Sequence, residues 1–219
     1  MSFIKRYSLK TLQSLCTSLI PETKELAEEF GSEQRRGAEA TEVEHQVYEA
    51  FNNISEIDLG PLGEFVSNQP TVSTPLSPLI AIILDLTALE YILTGKHEDS
   101  LEVSLSSGPF TWLSERDRRA TIDYLSERSS LQRLNESLES VSPYTGFLKY
   151  LVRGLTTVPL ITYYSEWDGY EQEGGKWVPD PETFSGKVQG WEQSGFPGFQ
   201  DGYPVFMGYE VEAFEENDY

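Results

Sequence analysis

LSPLIAIILDLTALEYIL, residues 76–93, is the most apolar run in the chain. Asp85 and Glu90 interrupt it, so it reads as too short and too charged for a bilayer span. From Leu79 to Leu93 it is apolar on nearly every side, and Gly95 closes it. A helix with no polar face belongs in the middle of a bundle, so this stretch makes the rest of the chain its wrapping. The expected fold class is all-α.

The flanking segments carry the stripes such a wrapping needs. Ser8 to Ile20 lines up Leu9, Leu12, Leu15, Cys16, Leu19 and Ile20, with Ser8 as the N-cap and Pro21 as the stop. Pro21 to Phe30 reads as a second helix opened by its proline. Glu33 to Ile54 reads as a third, with Val43, Val47, Ala50, Phe51 and Ile54 on one face and Gly37 weakening its start. Asp58 to Ser77 and His97 to Pro109 read as loops. In FTWLSERDRRATIDYL, residues 110–125, Ser114 and Asp117 have the spacing of a capping box. Helices over Ser130–Leu138 and Pro143–Tyr163 complete the set, the last kinked or restarted at Pro159. Residues 1–163 are thus expected to form an irregular helical bundle.

Charge and chemistry narrow the function. The 219 residues carry a net charge of −20, which repels phosphate and anionic lipid. Nucleic acid is therefore not an expected partner, and no direct membrane span is expected. The acids are spread along the chain and suit solubility or adaptation to high salt. Cys16, the single cysteine, lies on an apolar helical face and reads as a buried thiol. His45 and His97 are far apart and sit among charged residues, and no zinc spacing, nucleophile elbow or phosphate loop is present. No export signal is read at the N-terminus. The localisation is left between the cytoplasm and export together with a partner.

Beyond Tyr163 the composition changes. Residues 163–219 hold 14 of the 27 aromatics, three of the four tryptophans and nine of the 17 glycines. Gly190 to Val211, GWEQSGFPGFQDGYPVFMGYEV, is too aromatic for a disordered tail and too rich in glycine for a helix. Residues 164–219 are expected to be an extended, aromatic- and Gly-rich segment that packs on the bundle or on a partner. Glycine and proline would set its turns while aromatics plug pockets. Two chemical alternatives stay open. Glu166, Asp168 and Asp201 lie near aromatics, as glycosidase acids do. Trp167, Trp177 and Trp191 could stack on sugar rings, which would make the segment a carbohydrate-binding surface.

Three stretches, in order, resemble one family. LQSLCTSLIP near the start, FTWLSERDRRA in the middle, and PLITYYSEWDGY followed by GWEQSGFPGFQDGY near the end are similar to the gluconate 2-dehydrogenase subunit 3 family. The last is the most specific, through Tyr164-Ser165, Gly190-Trp191, Gly195-Phe196-Pro197-Gly198 and Gly202-Tyr203. The resemblance implies a small, cofactor-free accessory subunit. Its partner would be a large FAD-containing oxidoreductase of the glucose–methanol–choline class, acting on sugars or alcohols, whose folding, assembly or export it supports. Many members carry a twin-arginine leader, and here the first matching helix begins at residue 8. On this reading the partner-binding residues are Tyr163, Tyr164, Trp167, Trp191, Phe196, Pro197, Phe199 and Tyr203, and the chain itself has no catalytic, metal or cofactor residues.

Overall fold

The computed structural model describes residues 3–53, 75–127, 147–173, 176–177, 184–185 and 188–196. The expectations for 58–74, for a helix over 130–138, and for Pro197, Phe199, Asp201 and Tyr203 lie outside these residues. The described chain is mainly helical, as expected. In order it forms α1 (Phe3–Leu19), α2 (Lys24–Phe30), 3-10 turns at Ser32–Arg35 and Ala38–Thr41, α3 (Glu44–Asn53) and α4 (Leu76–Leu93). Then come α5 (Pro109–Trp112), α6 (Glu115–Ser126), α7 (Phe147–Tyr163), a 3-10 turn at Trp167–Gly169, and α8 (Gln189–Ser194). Among the described residues, extended pairing is limited to an antiparallel pair of two-residue strands, β1 (Gln172–Glu173) and β2 (Lys176–Trp177).

The apolar run that opened the sequence reading is the central helix. α4 packs against α1, α3, α5 and α6. Ile80, Ala81, Leu84 and Ala88 have no solvent exposure. The reading of this run as too short and too charged to span a bilayer is corrected: by length and composition α4 could cross one, and 67 % of it is buried inside the protein. α1 lies alongside it and also meets α3, α6 and α7, with Leu12, Leu15 and Cys16 sealed in the core. Burial, and then the charge of Glu44, push the Cys16 thiol well up.

The polar interruption of α4 is a tie between elements. The buried Asp85 carboxylate accepts the Tyr7 hydroxyl from α1 and the Phe110 backbone N–H, at 2.9 Å, from the start of α5. Burial raises the Asp85 pKa and the two hydrogen bonds oppose that rise. Gly108 lies flat against this carboxylate: a Cβ there would fall 1.7 Å from Asp85 Oδ2. One buried acid thus fixes α1, α4 and the loop entering α5 relative to each other.

Three local expectations are corrected. α1 starts at Phe3, and Ser8 is inside it, where its hydroxyl donates to the Ile4 carbonyl at 2.9 Å instead of capping. Pro21 precedes α2 without opening it. The stretch 33–54 is not one helix. Gly37 sits so close to the backbone of residues 20–22 that a Cβ would lie 2.6 Å from Glu22 N. The chain turns there, and again at Glu42 with φ 51°, before α3 begins.

The cap on α6 is as read, with the Asp117 N–H on Ser114 Oγ at 3.1 Å. The buried Asp117 carboxylate also accepts Glu98 N–H and Asp99 N–H at 3.1 and 3.0 Å. Arg118 caps the other side of the corner, donating to the Phe110 and Thr111 carbonyls at the end of α5. α7 runs through Pro159 to Tyr163 without ending there.

Candidate docking surface at the end of the last long helix

The last turn of α7 sends consecutive tyrosines in opposite directions. Tyr163 is 1 % exposed and its hydroxyl donates to the Arg36 carbonyl at 2.8 Å. Burial pushes its pKa up to about 12. Tyr164 is 54 % exposed, with its ring edge-on to Tyr163 at 5.2 Å between centroids. Ile161, in the last turn of α7, is 65 % exposed.

Past α7 the chain folds back on itself. The Trp167 indole N–H donates to the Thr162 carbonyl, and the ring packs against the core partly buried. Asp168 Oδ2 then accepts the Gln189 N–H at 2.9 Å at the start of α8. Its Oδ1 is buried with no hydrogen-bond partner among the described residues, and burial raises the pKa of the carboxyl. Close glycines make this return possible. A Cβ at Gly190 would lie 2.8 Å from Tyr164 Cα, and one at Gly169 would lie 2.4 Å from the Phe184 ring. Gly195, in the left-handed region at φ 68°, ends α8.

α8 is held by a clasp of amides and backbone carbonyls. Gln189 Nε2 and Gln193 Nε2 both donate to the Glu33 carbonyl at 3.0 Å. Gln34 Nε2 donates to the Gln193 carbonyl at 2.7 Å, and the Arg36 guanidinium to Gln189 Oε1 at 2.9 Å. An aromatic row crosses the other side of α8. Tyr170 meets Phe184 at 4.8 Å, Phe184 meets Trp191 at 5.5 Å, and Trp191 meets Phe196 at 5.1 Å. Phe196 ends the row 52 % exposed. Tyr164, against which Gly190 lies, and Phe196, against Trp191, are thus exposed aromatics beside α8, and Ile161 is exposed on α7.

The structure thus brings Tyr163, Tyr164, Trp167, Trp191 and Phe196 to one end of the molecule. Tyr163 serves the chain's own core, Trp167 and Trp191 lie half-covered, and Tyr164 and Phe196 face solvent. The stretch from Gly190 starts as one helical turn, not as an extended strap. The clasp residues Gln34, Arg36, Gln189 and Gln193 were not anticipated. Their one sequence signal is Gln189 and Gln193, four apart and facing one way on a helix.

The acids considered for hydrolysis take separate partners. Glu166 Oε1 accepts the Tyr170 hydroxyl at 3.2 Å, whereas Asp168 serves Gln189 and feels the charge of Glu192. Next to the clasp, a cleft of about 510 Å³ is lined by Ile20, Pro21, Glu22, Arg35, Arg36 and Glu115, among others. Arg35 is already paired with Glu22 there. Among the described residues, no three His, Cys, Asp or Glu side chains gather as a metal set. Comparison with protein-family models, curated proteins and solved structures finds no match to the chain.

Proposed function

We propose that this chain is a non-catalytic small subunit that docks on a large flavin-containing oxidoreductase acting on sugars or alcohols. In this reading it supports the folding, assembly or export of that partner, which carries the FAD. The supporting observation is that Tyr164 and Phe196 are exposed beside α8, a helix whose position the glutamine clasp fixes. Ordered aromatics on a fixed backbone suit the centre of an interface, where a few large side chains carry most of the binding energy. Tyr163 and Trp167 are used internally, whereas Tyr164 and Phe196 each keep about half of their surface open to solvent.

The test is co-expression with a large flavin-containing oxidoreductase encoded beside this chain, followed by size exclusion read at flavin wavelengths. A yellow complex containing both chains is expected. The double variant Tyr164→Ser, Phe196→Ser should weaken it on the order of tenfold or more. A wild-type chain that elutes alone and colourless would sink the reading.

A further inference from the structure

The segment that carries α8 is attached by polar bonds and little buried apolar surface. Val188, Gln189 and Gly190 are buried, while Glu192, Ser194, Gly195 and Phe196 are exposed. Val188 is the one aliphatic side chain in this stretch. α8 packs on the 3-10 turn Ser32–Arg35. It is held there by the amide clasp, by the Arg36 guanidinium on Gln189 and by the Asp168 carboxylate on the Gln189 N–H. A unit with few buried apolar contacts opens locally, at a smaller cost than unfolding the bundle.

Asp168 is the weak point of this attachment. Its Oδ2 has the Gln189 N–H at 2.9 Å, whereas its Oδ1 is buried with no hydrogen-bond partner among the described residues. A buried carboxylate oxygen without a donor loses the hydration it has in water and receives nothing in exchange. Glu192, on α8 itself, adds a like charge. Both costs fall on the ionised form. The other charged and titratable groups around it do not offset them. The Arg36 guanidinium is turned to Gln189 Oε1 and Glu192, Glu166 takes the Tyr170 hydroxyl, and the Asp168 charge adds to the rise in the Tyr163 pKa.

We infer that α8 is a proton-tightened latch: with Asp168 neutral it lies closed on residues 33–36, and ionisation of Asp168 favours an open segment in which the carboxylate is hydrated. The sign follows from linkage. A proton bound more tightly in the closed form stabilises that form fully below the ordinary Asp value, about 3.9, and the gain is lost as pH rises through the closed-state pKa. Burial, the leading cause, sets that pKa above the ordinary value. Closure also sets where Phe196 lies, because its N–H donates to the Trp191 carbonyl at 3.0 Å and Gly190 abuts Tyr164. The inference goes beyond the accessory-subunit reading and concerns the chain alone.

The experiment is amide exchange by mass spectrometry on the full-length chain between pH 4 and 7, with each rate divided by the intrinsic rate at that pH. The peptide over 188–196 is read against one from the middle of α4. In the wild type, protection of 188–196 relative to α4 should rise as pH falls, by up to about tenfold per pH unit for a single proton. Asp168→Asn should flatten that slope. A flat wild-type profile, or a slope that survives in Asp168→Asn, overturns the latch. If Asp168→Asn leaves 188–196 unprotected at every pH, Glu192→Gln decides, because it keeps Asp168. Removing the like charge should move the loosening to lower pH, and an unmoved or raised value overturns the inference. Each of these outcomes is read without a flavoprotein, so the accessory reading stands or falls separately.

Discussion

Two regions of this molecule, the centre around α4 and the segment around α8, are held together by different means. Around α4 the chain closes by aliphatic burial: Leu12, Leu15, Ile80, Leu84, Leu125 and Leu155 are all at or near zero exposure. Around α8 the chain closes by directional bonds, with side-chain amides of Gln34, Gln189 and Gln193 on backbone carbonyls and the Asp168 carboxylate on a backbone N–H. Burial of that sort is non-directional and scales with the area removed from water. Hydrogen bonds fix position while contributing modest net stability. The first region makes the core, and in the second directional bonds fix the position of α8.

The comparison can be broken most directly at the core. Leu84→Ala should cost about 2–5 kcal/mol, because the neighbouring helices cannot collapse into the space. Chemical denaturation would show it as a fall in midpoint with an unchanged slope, and a loss well under 1 kcal/mol would contradict the assignment of α4 as the centre.

In the other region, Gly190→Ala forces a methyl group against the Tyr164 backbone and should cost about 1–3 kcal/mol. The effect should be local: amide exchange over 188–196 accelerates while that of α4 stays as it was. Uniform acceleration would mean that the two regions unfold as one unit.

Removing the clasp with Gln189→Ala, Gln193→Ala deletes bonds to Glu33 and leaves Arg36 without its Gln189 partner. The expected cost is about 1–2 kcal/mol, again confined to α8. Thermal melting should move little and limited proteolysis near Ser194 should rise. No change in either would show that the aromatic row alone holds the segment.

The smallest effect is one of sign. Asp168 has a raised pKa in the folded chain, caused by burial. Between the ordinary Asp value, about 3.9, and that raised value the folded state binds more protons than the unfolded state. The Asp168 contribution therefore favours folding below this window and is lost as pH rises through the folded pKa. Asp168→Asn can keep the Gln189 bond without the ionisation. Its stability relative to wild type should be most favourable at neutral pH and decline as pH falls toward 4. A gap that widens on acidification would reverse the sign and the argument.

The aliphatic region was legible in the sequence because burial leaves a periodic trace. The stripe of α1, the nearly all-round apolarity of α4 and the Ser114 cap each follow from local spacing. The split of 33–53 was not legible, since it depends on Gly37 meeting the backbone of Ile20, Pro21 and Glu22, a contact no local pattern encodes. Composition marked the region after Tyr163 as distinct and picked out Trp191 and Phe196. It could not tell which of two adjacent tyrosines turns inward, nor that a glycine-rich stretch begins as a helix once Asp168 holds its first N–H. The clasp left no apolar rhythm to detect.

Gly108 and Asp85 have a consequence for descent. With 1.7 Å between an added methyl carbon and the carboxylate, no side chain at 108 is compatible with an acid at 85 in its present pose. The converse does not hold: loss of the acid frees the glycine while leaving Tyr7 and the Phe110 N–H without their acceptor. A side chain at 108 is therefore expected only where the acid at 85 is replaced or turned away from this pose.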